Sequence, residues 1–225
     1  MADSSKSPLS RRERNKQDKL QRIRRAAAEL FQERGFEKTT TQAIAERADI
    51  GAGTLFLYAP TKEDLVFLVM DNDIRETMKR ACDSIPADLS LPEQVFFCYS
   101  RLIRYHARKR ELSRHYVRGR LIPPQRHKEG SELPPAPYIV KLLTPIVERN
   151  QQAGTARTDC AATAIAWRLF SLYYMVLIQL LLGRIESERE ALAELRLSFD
   201  LLFEGIRAQG THGPQGAHGT RAARA

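Results

Sequence analysis

Residues 39–65 hold two helix starts and a tight turn, and this arrangement restricts the fold more than any other part of the chain. The threonine run 39–41, with Gln42 behind it, is typical of a helix start and leaves open which threonine caps the helix. The apolar residues that follow share one helical face: Ile44, Ala45 and Ala48. Asp49 then falls where a tight turn needs a left-handed backbone, which Gly adopts most easily and Asp or Asn next. The sequence therefore predicts a short helix that ends in a turn.

A second short helix and the start of a third follow the turn. Three small residues first let the backbone approach another molecule closely: Gly51, Ala52 and Gly53. Residues 54–58 continue as a helix with Leu55 directed inward, and Pro60 ends it. Thr61 and Asp64 have the spacing of a capping box, which predicts that the next helix begins here.

The apolar positions of this segment have the spacing that locks two helices across a tight turn: Ile44, Ala48, Ile50 and Leu55. Such a pair leaves the outer face of the second helix free to enter the major groove of DNA. An ordinary helical hairpin in an all-α protein has the same spacing, so the spacing alone leaves both interpretations open.

Residues 20–66 resemble the DNA-binding domain of the TetR/AcrR family of bacterial transcriptional regulators. The matching residues are Ile23, Ala26, Ala27, Glu29, Leu30, Phe31, Gly35, Phe36, Thr40, Thr41, Ile44, Ala45, Ala48, Gly53, Thr54, Leu55, Tyr58, Lys62, Glu63 and Leu65. Each match is weak alone, but their order and spacing together are specific. The resemblance implies an all-α protein, with an N-terminal three-helix helix-turn-helix DNA-binding domain followed by a larger helical ligand-binding and dimerisation domain.

Three residues depart from the family pattern. Asp49 replaces the usual glycine of the turn, at little cost in backbone energy. Phe56 stands where the family usually has Tyr, so a hydroxyl that can bond a phosphate is missing. Ala59 stands where an aromatic residue is usual, so we expect thinner packing between the third and fourth helices. None of the three removes the groove-facing surface.

The positions of the residues in this segment predict their roles on DNA. The candidates for base-edge contact are Gln42, Gly51, Ala52, Gly53 and Phe56. Glutamine can bond adenine through two hydrogen bonds, and Phe or Ala can touch a thymine methyl group. The candidates for phosphate contact are Thr41, Thr54, Tyr58 and Lys62, and Thr40 completes the predicted site. Amides at the start of the helix after Thr61 add to this phosphate set.

The charge of the chain agrees with a DNA partner without proving one. The formal net charge is +9, and the basic residues are densest in the first 25 positions. We expect residues 1–15 to form a flexible basic arm, which can follow phosphates or enter a minor groove. A solvated terminus without a DNA role is the alternative, and it is the favoured one for residues 1–10. Arg24 and Arg25, on the first helix, are further candidates for backbone contact.

The rest of the chain reads as helices separated by clear breaks. We expect helices at 61–83, 92–109, 111–121, 138–152, with Pro145 implying a kink, and 160–183, capped by Asp159. Proline positions between 123 and 137 exclude a continuous helix there. The predicted domains are a DNA-binding domain at 16–66, a ligand-binding and dimerisation domain at 67–207, and a disordered tail at 208–225.

The helix predicted at 160–183 is apolar on all sides and about as long as a bilayer span. Arg168 and Gln179 interrupt its apolar run. The arginine alone costs about 2.5–3.5 kcal/mol at the centre of a bilayer. A helix buried on all sides in a soluble protein has the same composition. We therefore favour the buried helix, and we expect no membrane partner.

The last helix begins at a capping box formed by Ser187 and Glu190 and then carries an apolar seam. The seam alternates spacings of three and four, as Leu192, Leu195, Phe199, Leu202 and Ile206. Leu197 and Leu201 add a second stripe. The family resemblance implies that residues 160–207 pair with the same helices of a second copy as a four-helix bundle. Packing within one chain is the alternative.

The family resemblance also implies a small-molecule pocket between the later helices. The candidates for its lining are Phe97, Arg101, Arg104, Tyr116, Tyr138, Trp167, Phe170, Ser171 and Tyr174, with Tyr99 and Ile103 beside them. Core packing is the alternative for each of them. The basic run from Arg101 to Arg120 either favours an anionic ligand or is a solvated face, and the solvated face is the favoured interpretation.

Other classes of function have little support in the sequence. The spacing of Cys82, Cys98 and Cys160 fits neither a metal site nor a disulfide framework, which is typical of a reducing cytosol. No catalytic motif, apolar leader or cofactor motif is evident, so we expect neither an enzyme nor a cofactor. The sequence predicts a cytoplasmic, nucleoid-associated repressor that binds a palindromic operator as a homodimer and is released by a ligand. A helical peripheral-membrane protein, or a structural dimer with a basic surface, is the alternative.

Overall fold

The computed structural model describes residues 10–121 and 135–205. These residues form nine α-helices and no strand, which confirms the all-α prediction. The helices are α1 (Arg11–Lys38), α2 (Thr41–Arg47), α3 (Ala52–Tyr58), α4 (Lys62–Asp83), α5 (Leu91–Arg108), α6 (Arg110–Leu121), α7 (Pro135–Gln152), α8 (Ala162–Leu182) and α9 (Glu188–Glu204).

The helix ends of the N-terminal segment follow the predicted chemistry. Thr40 is the cap of α2, where its hydroxyl accepts a hydrogen bond from the Ala43 amide. Asp49 has a φ of 51°, the left-handed conformation that the turn was predicted to need. Thr61 and Asp64 form the predicted capping box at the start of α4. Helix α3 begins at Ala52, two residues earlier than predicted, because Gly51 serves as its cap.

Helix α1 packs against α2 and α4 through an apolar stripe of Ile23, Ala26, Ala27, Leu30 and Phe31. Gly35, with a φ of 76°, interrupts this helix and turns the chain towards α2. Thr39 is buried behind the break, where its hydroxyl donates to the carbonyls of Leu30 and Gly35. The stripe joins the core of the later helices into one apolar cluster that runs through the molecule.

The later helices form a bundle in which α4 is shared with the N-terminal group. α7 packs along α8, and α5 packs along α9 and α4. Buried aromatic rings fill the centre, where Tyr99 stacks on Tyr173 with ring centroids 4.7 Å apart. Phe199 lies beside Tyr99 at 5.8 Å. The rings hold α5, α8 and α9 together.

Further predicted boundaries differ from the structure. The flexible arm predicted for 1–15 overlaps α1, which begins at Arg11 because the hydroxyl of Ser10 caps it. Helix α8 begins at Ala162 and not at a cap on Asp159, whose carboxylate instead accepts hydrogen bonds from Arg157 at 2.6 Å. Residues 1–9, the break at 122–134 and the tail predicted at 208–225 lie outside the described residues.

Helix α8 is long and apolar enough to cross a membrane, with a mean hydropathy of 1.7, and it is the one such helix among the described residues. Length and composition alone give this result. In the structure one side of α8 packs on α7, α9 and α5, which buries Leu169, Tyr173 and Leu180. The opposite side is exposed. The helix is therefore buried on one side only, and not on all sides as the sequence analysis favoured.

Two cysteines that are distant in the sequence lie in contact. The Sγ atoms of Cys82 on α4 and Cys98 on α5 are 3.8 Å apart, and both thiols are free. Cys98 is buried and Cys82 is half-buried. Hydrogen bonding from Cys98 lowers the pKa of the Cys82 thiol. The sequence separation concealed this pair, because two antiparallel helices bring the residues together.

Candidate nucleic-acid interface

Helices α2 and α3 are locked across their turn by the apolar residues that the spacing predicted. Ile44 and Leu55 are fully buried between them, and Ile50 packs against the same cluster. The Ile50 amide donates to the Ala45 carbonyl at 3.0 Å, which closes the turn. The outer face of α3 is left in solvent, where Phe56 is 49% exposed and Leu57 79% exposed. Two large apolar side chains exposed on a seven-residue helix are typical of a surface that contacts another molecule.

Arg22 of α1 holds the turn in place, a role that the sequence analysis missed. Its Nε donates to the Ala48 carbonyl at 2.9 Å, and its guanidinium also bonds the Asp49 carbonyl and lies 3.3 Å from the Asp49 carboxylate. The arginine thereby satisfies carbonyls at the end of α2, which have no partner within the helix. A basic residue directly before the buried Ile23 was the only available signal.

A second ion-pair network joins α1 to the end of α2. Arg47 contacts Glu33 at 3.1 Å and Glu29 at 3.4 Å, and Arg25 contacts Glu29 at 2.8 Å. Each arginine favours the ionised carboxylate, so hydrogen bonding from Arg25 lowers the pKa of Glu29. All four groups are exposed or half-exposed, so each pair contributes little to stability. Arg25, a candidate for contact with the DNA backbone, is already paired with Glu29 on α1.

The residues predicted to contact bases lie on the surface of α2 and α3. Gly51, Gly53 and Phe56 are exposed, and Ala52 is half-buried. Gln42 is exposed on α2, where its amide donates to the Glu46 carboxylate at 2.9 Å. Contact with a base requires the Gln42 amide to leave Glu46, an exchange between two exposed partners.

The residues predicted to contact phosphates divide into two groups. Thr41, Thr54 and Tyr58 are half-buried beside the outer face. Thr40 is exposed, but its hydroxyl already caps α2. Lys62 has structural partners: its Nζ donates to the Phe36 carbonyl at 2.9 Å and the Glu37 carbonyl at 3.3 Å, and it lies 4.2 Å from the centre of the Phe36 ring. Lys62 thus ties the start of α4 to the end of α1.

The nine predicted pocket residues fall into separate groups of contacts. On α8, Phe170 stacks on Tyr174 at 5.5 Å and meets Trp167 edge-on at 5.7 Å. Ser171 is exposed and bonds the Trp167 carbonyl. On α5, Arg101 covers the Phe97 ring at 3.7 Å.

Other predicted pocket residues contact charged groups. Arg104 of α5 lies 3.5 Å from Glu188 of α9. Tyr116 of α6 donates to Asp71 of α4 at 2.7 Å, and Arg120 pairs with the same carboxylate. Burial and the nearby Asp71 raise the pKa of the Tyr116 phenol, so this hydroxyl remains a donor. Tyr138 of α7 lies under Arg75 of α4 at 5.0 Å.

The middle of the predicted seam of α9 faces the core. Leu195 and Phe199 are fully buried against the chain's own helices, so their assignment to a dimer interface is wrong. Leu192 is half-buried, Leu202 is exposed, and Ile206 lies outside the described residues. The stripe turned to solvent includes Leu201, which is 48% exposed, and Leu197. Spacing identified an apolar face but could not say which partner covers it.

The exposed side of α8 carries a second apolar stripe. Met175 is 56% exposed and Leu182 is 65% exposed, with Trp167 on the same face at a spacing of eight and seven residues. Helices α8 and α9 pack against each other, and each carries an exposed apolar stripe. Two adjacent helices with large apolar side chains in water are typical of an interface with another protein.

Comparison with known proteins gives one family. A model of bacterial regulatory proteins of the tetR family matches residues 23–69. The HTH-type transcriptional regulator LuxR of Vibrio harveyi is 33% identical over 89 residues, a stretch that spans only 40% of either chain. Among solved structures, Thermus thermophilus FadR, a TetR-family repressor in complex with lauroyl-CoA, has a TM-score of 0.66 at 24% identity. This match covers 88% of the present chain and 100% of FadR.

A second solved structure gives the same fold. Bacillus subtilis FadR in complex with stearoyl-CoA has a TM-score of 0.57 at 17% identity, over 83% of this chain and 99% of that one. At these identities the structural likeness establishes the fold. The sequence match at residues 23–69 covers the part of the chain in which α2, the turn and α3 form the exposed surface.

Proposed function

We propose that this chain, a DNA-binding transcriptional regulator of the TetR family of bacterial regulatory proteins, is a repressor that binds a palindromic operator as a homodimer and is released by a small molecule. The single observation that carries the proposal is the outer face of α3, which presents Phe56 and Leu57 to solvent beside a turn held by Arg22. We assign DNA binding to residues 16–66 and dimerisation and ligand binding to residues 67–207.

The outer face of α3 has the chemistry of a helix that enters the major groove. Gln42 offers an amide for a base edge, and Phe56 offers an apolar ring for a thymine methyl group. Gly51, Ala52 and Gly53 bring the backbone close to the bases without steric conflict. Thr41, Thr54 and Tyr58 supply neutral phosphate donors around it. Lys62 already bonds the carbonyls of Phe36 and Glu37, so any phosphate contact that it makes is in addition to this structural role.

The exposed apolar stripes of α8 and α9 support the proposed dimerisation. A two-fold axis brings each stripe against its copy, because the same patch meets itself in such an interface. Two copies of α3 then face one side of a duplex, and a two-fold protein matches a palindrome whose half-sites are about one helical turn apart. The stripes supply the apolar area of such a contact, and the buried Leu195 and Phe199 stiffen the helices behind them.

The test of the operator proposal compares two duplexes with the full chain. One duplex carries the palindrome obtained by selecting bound fragments of genomic DNA. The other duplex has the same length and keeps one half-site, and its second half-site is scrambled. Fluorescence anisotropy at one salt concentration should give much tighter binding to the palindrome, because the DNA-binding segments of both copies then contact one duplex. Equal affinity for both duplexes would contradict binding as a two-fold dimer.

The ligand proposal rests on the helices behind the DNA-binding segment. The solved relatives with the same fold include two complexes with acyl-CoA thioesters. An acyl-CoA is an anion with an apolar chain, and the basic and aromatic side chains of α5, α6 and α8 offer complementary chemistry. Lauroyl-CoA is therefore the first probe. It should lower operator affinity in the anisotropy assay, and coupling in allosteric proteins is typically about 1–3 kcal/mol. Unchanged operator affinity at a high lauroyl-CoA concentration would exclude lauroyl-CoA as the releasing ligand.

A further inference from the structure

The stripe of α1 that packs into the core changes from apolar to basic residues towards the N-terminus. Ile23, Ala26 and Leu30 are buried along this stripe at spacings of three and four residues. The same spacing continued towards the N-terminus gives Lys19, Lys16 and Arg12. The side of the helix that is apolar where it lies on α2 and α4 is therefore basic where it extends beyond them.

This N-terminal part of α1 protrudes from the body of the protein. Ile23 is the first buried residue of the helix, and residues 11–22 are exposed or half-buried. Twelve helical residues span about 18 Å. We call residues 11–22 the overhang.

The direction of the overhang is fixed by the contacts at its base. Arg22 bonds the carbonyls of Ala48 and Asp49, the first two of the four residues between α2 and α3. Arg47, paired with Glu33 and Glu29, holds the end of α2 against the next turns of α1. The overhang thus starts at the turn that leads into α3 and continues past it. Its basic stripe lies on the side of α1 that, further along, faces α2 and α4.

Three basic residues on one face of the overhang have no partner within the described residues. Arg12, Lys16 and Lys19 are exposed and form no side-chain hydrogen bond or ion pair there. Glu13 and Asp18 are the only acidic residues of the overhang, against six basic ones. Arg25 and Arg47, by contrast, are each paired with glutamates. Three free cations on one helical face form an unneutralised strip beside the surface proposed to bind DNA.

We propose that the overhang is a second DNA-contacting element, in which Arg12, Lys16 and Lys19 bind phosphates outside the set that α2 and α3 reach. The inference rests on the proposed DNA-binding function. A duplex phosphate is the partner that fits, because the strip is cationic and carries no apolar residue for a protein partner on the same three positions. Its length of about 18 Å corresponds to about five base pairs of duplex. Contacts of this kind add affinity for all sequences and leave base preference unchanged.

Two variants of equal charge test the strip. Lys16→Gln with Lys19→Gln removes two cations from the strip, and Arg11→Gln with Arg14→Gln removes two from other faces of the same helix. Glutamine has nearly the helix propensity of lysine and arginine, so both variants should keep α1. Far-ultraviolet circular dichroism and the thermal midpoint should match the unaltered chain for both.

Salt dependence of operator binding is the first readout. Each phosphate contact contributes about 0.9 to the slope of log affinity against log salt. The slope of the strip variant should therefore be smaller by about 1.8 per half-site. Raising salt from 50 to 200 mM should then cost this variant roughly tenfold less affinity per half-site than it costs the unaltered chain. The variant on the other faces should lose less than one contact per half-site. Equal slopes for the two variants would overturn the inference, because a general charge effect would then explain both.

Phosphate ethylation interference locates the contacts directly. In the unaltered chain, ethylation should interfere at phosphates outside those affected by changes in α2 and α3. The interference at these outer phosphates should disappear in Lys16→Gln with Lys19→Gln and persist in the control variant. Unchanged interference in the strip variant contradicts the overhang contact. If the unaltered chain selects no operator at all, the proposed DNA-binding function fails instead, so the two failures are distinguishable.

Discussion

His106 is a buried histidine that joins α5 to α6. Its Nδ1 lies 2.9 Å from the Ser113 hydroxyl, and the ring is almost fully buried. Burial lowers the pKa of His106 to about 3. Between pH 3 and the ordinary histidine pKa of about 6.5, the unfolded chain binds a proton that the folded chain does not. This contribution to stability is therefore fully present above about pH 6.5 and is lost as pH falls below it.

His106→Gln should weaken the acid sensitivity of the fold. One proton difference changes the free energy of unfolding by at most about 1.4 kcal/mol per pH unit. The unaltered chain should lose stability from pH 7 to pH 5 more steeply than the variant, by roughly this slope. Urea denaturation at pH 7, 6 and 5 measures it. Partial burial also lowers the pKa of His115, which acts in the same direction in both proteins and cancels in the comparison. Parallel pH profiles would exclude a neutral, buried His106.

Lys62 has two roles that separate in experiment. The hydrogen bonds of its Nζ to Phe36 and Glu37 predict that Lys62→Ala lowers the free energy of unfolding, since hydrogen bonds from a charged group typically contribute about 1.5–3 kcal/mol. A phosphate role predicts in addition a loss of about one unit of salt slope in operator binding. Denaturation together with salt titration measures both. A fall in stability with an unchanged slope leaves Lys62 as a purely structural residue.

At the scale of helices, α3 decides which bases are recognised. Phe56→Ala removes a half-exposed ring without opening the core, so the thermal midpoint should not change. Operator affinity should fall by an amount of the order of a single base contact, about 1–3 kcal/mol, with an unchanged salt slope. Phe56→Tyr is the matched control, because it keeps the ring and adds the hydroxyl usual in the family. Anisotropy titration checks both, and full affinity in Phe56→Ala would remove Phe56 from the interface.

The elements near the turn were predictable because their signals are local. Thr40, Asp49 and Thr61 act on backbone groups within a few residues, so sequence spacing is enough to identify them. The start of α1 was not predictable in the same way, because residues 11–15 are polar and offer no apolar period. The role of Arg22 was also hidden, since its partners lie 26 and 27 residues away.

The periodicity of α9 gave a face but not its partner. The seam of Leu195 and Phe199 satisfies the pattern for a two-helix contact, and α5 and α8 of the same chain already provide that contact. The pocket residues stay a prediction for a related reason. An aromatic side chain such as Phe97 or Tyr138 has the same sequence signal whether it lines a cavity or covers an arginine, and in this fold both lie against arginines.

At the scale of the molecule, the exposed stripes of α8 and α9 predict how the protein assembles. Leu201→Glu places a charge in the stripe and should convert the dimer to a monomer, because a desolvated, unpaired carboxylate is costly. Operator affinity should fall when the dimer dissociates, since the DNA-binding segment of one copy reads only half of the palindrome. Sedimentation velocity measures the assembly.

The matched control for assembly is Leu57→Glu. Leu57 is also a solvent-exposed leucine, but it lies on α3. This variant should lose DNA binding and remain a dimer. A Leu201→Glu variant that sediments like the unaltered chain would contradict the proposed interface.

The central claim is that α3 of two copies reads a palindromic DNA sequence, and selection from fragmented genomic DNA with the full chain tests it most directly. Purified protein would be incubated with the fragments at a low and a high salt concentration, and the bound DNA would be sequenced. We predict a palindromic motif whose half-sites are about one helical turn apart, recovered at both salt concentrations. Recovery of random fragments that are lost at high salt would contradict the claim, because it would reduce the interaction to a basic surface attracting phosphates.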